Sequence, residues 1–256
     1  MVQFFYPDTP DIPLTQGHTF PATKYRLFRE QAISEGVIPE GSAIPASPVS
    51  REDLLRVHSA GYVDAVLSGS LDEKAIRRLG LPLSDVLITR AQASVGSSLA
   101  AARAAMEEGF SGSLSGGTHH AHREFGSGFC VFNDLAVVAQ TFLDEGALSR
   151  IAILDCDVHQ GDGTAALLAH DPRVLTVDLF GDNNFPARKV EPDIAFPLPD
   201  AMEDAAYLAT LDKALIEVAD FQSGIMLYNA GVDPLYPVSY THLRAHETKT
   251  RISVGG

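Results

Sequence analysis

Asp155, Asp157 and His159 recur at every second position directly after the apolar run Ile151-Ala152-Ile153-Leu154. An apolar run that gives way to a polar, glycine-punctuated stretch, here His159-Gln160-Gly161-Asp162-Gly163, reads as a buried strand and its exit loop. Side chains alternate across a strand, so Asp155, Asp157 and His159 are expected on one face. Buried carboxylates this close are costly unless compensated, and a divalent cation is the simplest compensation. Asp233, in the turn Gly231-Val232-Asp233-Pro234, supplies a further carboxylate. Asp157, His159 and Asp233 together make two carboxylates and one imidazole. Such a set leaves a coordination position open for water, as a catalytic rather than a structural site requires.

A second cluster is Gly116-Gly117-Thr118-His119-His120-Ala121-His122, followed by Gly126-Ser127-Gly128-Phe129-Cys130-Val131-Phe132-Asn133-Asp134. Imidazole titrates near neutral pH, so a histidine pair beside a metal-activated water suits general acid–base work. The flanking glycines let backbone approach a substrate closely.

These residues need elements to hold them. Helical spacing runs over Thr23–Glu35, Arg51–Ser68, Ser84–Glu108, Asn133–Glu145 and Asp204–Phe221, the last opened by acidic residues that suit the helix dipole. Strands are expected at Ser111–Gly117, Arg150–Val158, Arg173–Leu179 and Gly224–Ala230. Strands alternating with helices predict an α/β fold of three layers, a mostly parallel sheet covered by helices on both faces. Ligands of such sheets gather beyond the carboxyl ends of the strands, where the polar clusters fall.

The chain has 256 residues, 45% hydrophobic and 20% charged, which suits a globular domain with a sizeable core. A formal net charge of −14 argues against direct nucleic-acid binding and is compatible with a cationic substrate. No apolar run reaches the ~20 residues of a membrane span, so no membrane association is expected. Met1–Asp8 lacks the pattern of a signal peptide, and only Cys130 and Cys156 are present, so a reducing cytoplasmic location is the expectation. From Tyr236 the style changes, as Thr241-His242-Leu243-Arg244-Ala245-His246 replaces acidic, apolar-periodic sequence with basic residues and histidine. The expectation is one domain over 1–235, incomplete at its C-terminus, and an anomalous, non-native tail over 236–256.

Gly-Gly-Thr-His-His, Gly-Phe-Cys-Val-Phe-Asn-Asp, Asp-Cys-Asp-Val-His-Gln-Gly-Asp-Gly and Ala-Gly-Val-Asp-Pro-Leu occur here in the order seen in zinc-dependent histone deacetylase family proteins. His18-Thr19-Phe20-Pro21, Lys24-Tyr25-Arg26-Leu27 and Asn184-Phe185-Pro186-Ala187-Arg188-Lys189 are similar to the bacterial, class IV-like branch. The resemblance covers residues 1–235. It implies the arginase/deacetylase fold and hydrolysis of the acetyl amide of an acetylated lysine side chain or a related acetylated amine.

Carried over residue by residue, the resemblance makes Asp157, His159 and Asp233 ligands of Zn2+, with Fe2+ acceptable to the same donors. It makes His120 the general base and His119 its partner, oriented by Asp162 and Asp155 respectively. Asp155 is also implied to help hold a structural K+. Phe129 and Phe185 would wall the tunnel for the acyl-lysine stem, and the Gly128 carbonyl would meet the substrate amide. Related arginases use Asp-x-His-x-Asp to hold two manganese ions. Here Gly161 stands two residues after His159, which favours a single-metal site over a ureohydrolase.

Two departures stand out. Relatives carry Ser and then His in the stretch that here reads Val177-Asp178-Leu179-Phe180. The family's oxyanion-stabilising Tyr, in a glycine-rich loop after the third metal ligand, has no counterpart in Tyr236, Tyr240 or Gly255-Gly256. The missing Tyr makes an impaired acyl-lysine-binding module one alternative to a protein deacetylase; an acetylpolyamine amidohydrolase is the other, since the acidic charge suits both kinds of substrate.

Overall fold

The computed structural model of the chain describes residues 2–234, so the tail from Tyr236, with His242 and His246, lies outside the described residues. Seven strands are described, β1 (Phe4–Pro7), β2 (Ala43–Ala46), β3 (Gly112–Ser113), β4 (Ile151–Asp155), β5 (Val174–Gly181), β6 (Ile194–Leu198) and β7 (Ile225–Asn229). Eight helices accompany them, α1 (Lys24–Ser34), α2 (Arg51–Leu54), α3 (Ala60–Leu67), α4 (Glu73–Leu79), α5 (Asp85–Glu108), α6 (Asp134–Asp144), α7 (Asp162–Leu168) and α8 (Asp204–Phe221).

The strands form two wholly parallel sheets, ordered β2-β1-β3 and β6-β5-β4-β7. β4 shows why the architecture has three layers. Ile151 and Ile153 enter one core cluster with Val137 and Phe142 of α6, while Ala152 and Leu154 enter another with Ala214 and Val218 of α8. A strand buried on both faces needs an unbroken apolar run rather than alternation, which is how Ile-Ala-Ile-Leu reads. The expected α/β architecture, a parallel sheet with helices on both faces, is the one observed. No helix among the described residues is long and apolar enough to cross a membrane.

Several elements differ from the sequence expectation. The helix expected over Arg51–Ser68 breaks into α2 and α3, because Val57 and His58 turn inward and Ser59 caps α3 by accepting from the Tyr62 amide. The strand expected over Arg150–Val158 stops at Asp155, and that over Ser111–Gly117 shrinks to Gly112–Ser113. β1, β2, β6, α4 and α7 add to the expected set. β2 and β6 each contain a proline, a residue that argues against a strand in sequence yet is tolerated at a sheet edge, where both lie.

Candidate active site

The loop that leaves β4 carries the acidic cluster. Asp155 ends the strand, and Asp157 and His159 follow in the loop, so strand alternation does not place them together. Local hydrogen bonds do. The Asp157 amide donates to Asp155 Oδ1 at 3.1 Å, and the His159 amide donates to Asp157 Oδ1 at 2.8 Å. Asp233 arrives from the turn after β7 and accepts from the Val158 amide at 3.0 Å. Gly231 is required there, because a Cβ would collide with the Asp157 backbone.

His159 Nδ1 lies 2.8 Å from Asp157 Oδ1 and 3.0 Å from Asp233 Oδ2. One ligand atom from each of Asp157, His159 and Asp233 falls within 4.8 Å of the others. Burial alone would lower the His159 pKa, but the two carboxylates outweigh it and push it up to about 9. Two acceptor oxygens converging on one imidazole form a cradle for positive charge. This donor set fits a divalent cation with an open position. The Asp157 carboxyl, despite burial, is held well below the usual range by His159 and His119.

His119 and His120 project from the loop after β3. Thr118 anchors that loop, donating through its amide and hydroxyl to Asp134 Oδ1 at 2.8 and 2.7 Å. Both histidines are buried, with ring centroids 4.0 Å apart. His119 Nδ1 meets Asp155 Oδ2 at 2.6 Å, and His120 Nδ1 meets Asp162 Oδ1 at 2.7 Å. Asp162 opens α7, and its other oxygen accepts from His122 Nε2 at 2.9 Å.

The two dyads do not titrate alike. Burial opposes charge on His119, but Asp155, then Asp157 and Asp178, push its pKa up to about 10. Burial, reinforced by the His119 cation, pulls His120 down to about 4 against the pull of Asp162. Near neutral pH one imidazole is therefore charged and its neighbour is a neutral base. Pairs of titratable groups pushed apart in this way mark acid–base assignments.

Of the remaining expected residues, Gly128 and Phe185 lie against His120. Gly128 has φ of +54°, and a Cβ there would press on the His120 ring at 2.6 Å. Its carbonyl accepts a 3.4 Å bond from the Cys130 thiol. Phe185 stands edge-on to His120 with centroids 4.8 Å apart, and Phe129 packs on Phe20 at 5.2 Å. Phe185, 41% exposed, borders His120 and His159, and Phe129, 39% exposed, lies at the surface against Phe20 and His18.

Residues 18–251 match the family model described as the histone deacetylase domain. The chain belongs to the histone deacetylase family. It is 40% identical to an uncharacterized protein of Picosynechococcus over 86% of this chain and 74% of that one. It is 30% identical to histone deacetylase 2 of Arabidopsis thaliana, over 85% and 59% of the two chains. Acetoin utilization protein AcuC of Bacillus subtilis is 28% identical over 90% and 65%. The crystal structure of an HDAC homolog complexed with SAHA superposes with a TM-score of 0.74 at 24% identity, covering 91% of this chain and 69% of that one, which shows the fold. The chain thus spans roughly three fifths to three quarters of the length of these relatives.

In this deacetylase-family site His58, Asn133 and Asn229 escaped the sequence reading, which gives Asp178 only as an extra carboxylate near the expected K+ position. His58 is buried, its Nδ1 2.9 Å from the His122 carbonyl, while its Nε2 accepts from the Asn133 amide at 3.0 Å. That pattern fixes a neutral Nδ1–H tautomer, and burial pulls its pKa down to about 4. Asn133 caps α6 through the Ala136 amide and donates to the Ala121 carbonyl and the Thr164 hydroxyl. Asn229, the last residue of β7, donates to Asp155 Oδ1 at 2.9 Å. Asp178 lies in register with Asp155 on the adjacent strand; its Oδ2 accepts from the Gly161 amide, while its buried Oδ1 has no hydrogen-bond partner. His122, Asn133 and Asp178 stand inside quoted motifs, but His58 and Asn229 carry no local signal.

Proposed function

We propose that this chain is the larger part of a metal-dependent deacetylase that hydrolyses the acetyl amide of an N-acetyl-lysine side chain or a related acetylated amine. The observation that carries the reading is the pair of carboxylate–histidine dyads, one charged and one neutral, set beside the Asp157–His159–Asp233 cradle. Asp157, His159 and Asp233 would hold the cation, Zn2+ by donor type, with Fe2+ as the competitor. When bound, such an ion supplies Lewis acidity toward an acyl oxygen and toward water.

The chain's own residues do the rest. His120, neutral and tied at Nδ1 to Asp162, keeps Nε2 free to take a proton from the attacking water. His119, cationic and tied to Asp155, lends positive charge to the developing oxyanion and has a proton for the departing amine. Phe129 and Phe185 would flank the aliphatic stem of the substrate, which excludes water from the reacting bond. A monovalent cation such as K+ beside Asp155 and Asp178 suits two in-register buried carboxylates, one with an orphaned oxygen.

The test combines metal stoichiometry with turnover of an acetyl-lysine peptide and of an acetylated diamine after reconstitution with Zn2+ or Fe2+. It is run on this chain and on a chimera in which residues 1–234 continue into the C-terminal part of the Picosynechococcus relative. The expected result is one divalent ion per chain at the cradle and metal-dependent release of acetate. Two tightly bound ions, or a metal-loaded chimera without turnover, would overturn it.

A further inference from the structure

Phe185 stands beside both the base and the cradle, its ring centroid 4.8 Å from that of His120 and 6.3 Å from that of His159. Yet it belongs to no strand or helix, and sits in the connection between β5 and β6. A half-exposed ring on a surface connection serves as a wall only if the backbone beneath it is held.

Hydrogen bonds sew this connection to the loop that leaves β4. The Gly181 amide donates to the Val158 carbonyl at 2.8 Å, and the Gln160 amide donates to the Phe185 carbonyl at 3.1 Å. The Gln160 side chain is buried and pairs with Val190 in both directions. Its Nε2 donates to the Val190 carbonyl at 2.8 Å, and its Oε1 accepts from the Val190 amide at 2.9 Å. The metal-cradle loop thus grips the connection at Gly181, Phe185 and Val190.

Lys189 closes the stretch between the last two grips. Its Nζ donates to the carbonyl of Asn184 and, at 2.8 Å, to that of Pro186, the two carbonyls that flank Phe185. The ammonium also lies 5.6 Å from the centre of the Phe180 ring on β5, against an aromatic face. A lysine on a surface loop ordinarily keeps its charge in water. This one is half-buried, forms no ion pair among the described residues, and turns its donors onto the main chain. Hydrogen bonds from a charged donor are the strong kind, so the stretch around Phe185 is clamped rather than merely closed.

We propose that Lys189 is the positioning residue of the tunnel wall. It fixes the backbone on either side of Phe185, so that the ring stays against His120 and His159 and meets the aliphatic stem of the substrate. Through Gln160 the wall and the cradle loop form one unit, and the same piece of chain places the stem and the reacting amide. The inference rests on the deacetylase reading for the ligand it names, but the placement of the ring does not.

Two measurements on the 256-residue chain test it. The first needs no ligand: with isotope-labelled histidine, NMR reads the His120 ring protons, which the neighbouring Phe185 ring shifts. Phe185→Ala identifies that shift by removing it. Lys189→Met keeps an aliphatic stem without donors and should displace the same resonance, whereas Lys189→Arg, which keeps charged donors, should leave it near its wild-type position. Lys189 lies outside the core clusters, so these variants should fold. The second measurement uses the Zn2+-loaded chain with octanohydroxamate, which has an aliphatic stem, and acetohydroxamate, which has none. Lys189→Met should weaken octanohydroxamate at least ~10-fold and acetohydroxamate less than ~2-fold. In a Phe185→Ala background, Lys189→Met should change neither affinity further. A His120 resonance unmoved by Lys189→Met would overturn the proposal, as would a loss that adds in full to that of Phe185→Ala. Equal weakening of both hydroxamates would also overturn it, since the effect would then lie in the cradle. A wild-type chain that binds metal but neither hydroxamate would count against the deacetylase reading alone, and the histidine spectrum would still decide on Lys189.

Discussion

At the residue scale, two adjacent buried imidazoles are pushed toward opposite charge states, His119 up by its carboxylates and His120 down by burial and the His119 charge. His120→Ala, in a preparation that turns over an acetylated substrate, should lower kcat by at least ~10² while metal content stays at the wild-type level. Asp162→Asn removes the negative charge and turns one of the two oxygens that hold His120 and His122 into an NH2 donor, and a loss of roughly 10–100-fold in activity is expected. The cradle makes a separate claim. His159 holds its proton up to a pKa of about 9, so metal uptake at pH 7.5 should release about one proton per chain. Calorimetry in buffers of different ionisation enthalpy measures that number, and His159→Ala should abolish both uptake and release. His58 sets a stability dependence of defined sign. Its pKa is depressed from 6.5 to about 4, so the unfolded chain binds more protons across that window. Its contribution is present above pH 6.5 and lost as pH falls through 4, and urea midpoints for His58→Gln should show a shallower acid slope.

At the element scale, the sheet sets where the chemistry stands and short polar links set how. Asn133 fastens the start of α6 to the histidine loop and to Thr164 of α7. Asn133→Ala should cost roughly 2–4 kcal/mol, a lost cap plus buried partners left unsatisfied, measurable by denaturant unfolding. β4 was readable because a strand buried on both faces must be continuously apolar, and α5, α6 and α8 because their apolar spacing is regular. β2 and β6 were not, since the prolines that hid them are tolerated only at an edge, and edge position is a property of the whole sheet. The break between α2 and α3 was hidden for a similar reason. His58 is polar in sequence, yet it is buried because the His122 carbonyl and the Asn133 amide, 64 and 75 residues away, satisfy both ring nitrogens.

At the scale of the molecule, the net charge of −14 sets a field that attracts cationic substrates. kcat/KM toward a lysine-rich acetylated peptide should therefore fall as ionic strength rises from ~0.01 to ~0.15 M, where the screening length shrinks from ~30 to ~8 Å. A neutral acetylated substrate should show a much smaller change. The same scale decides the order of strands in the two parallel sheets, which no local pattern announces. By itself the sequence determined the chemical inventory: aspartates and histidines in spaced motifs, a strand buried on both faces, the layer architecture and the family. These follow from residue type and short-range periodicity. The resemblance already implied that Asp233 joins His159 and that Asp155 serves His119; only the tertiary structure supplied their distances and decided that His119 and His120 differ in charge. Those outcomes depend on distances between segments far apart in the chain and on burial, which weakens or strengthens each charge according to everything packed around it.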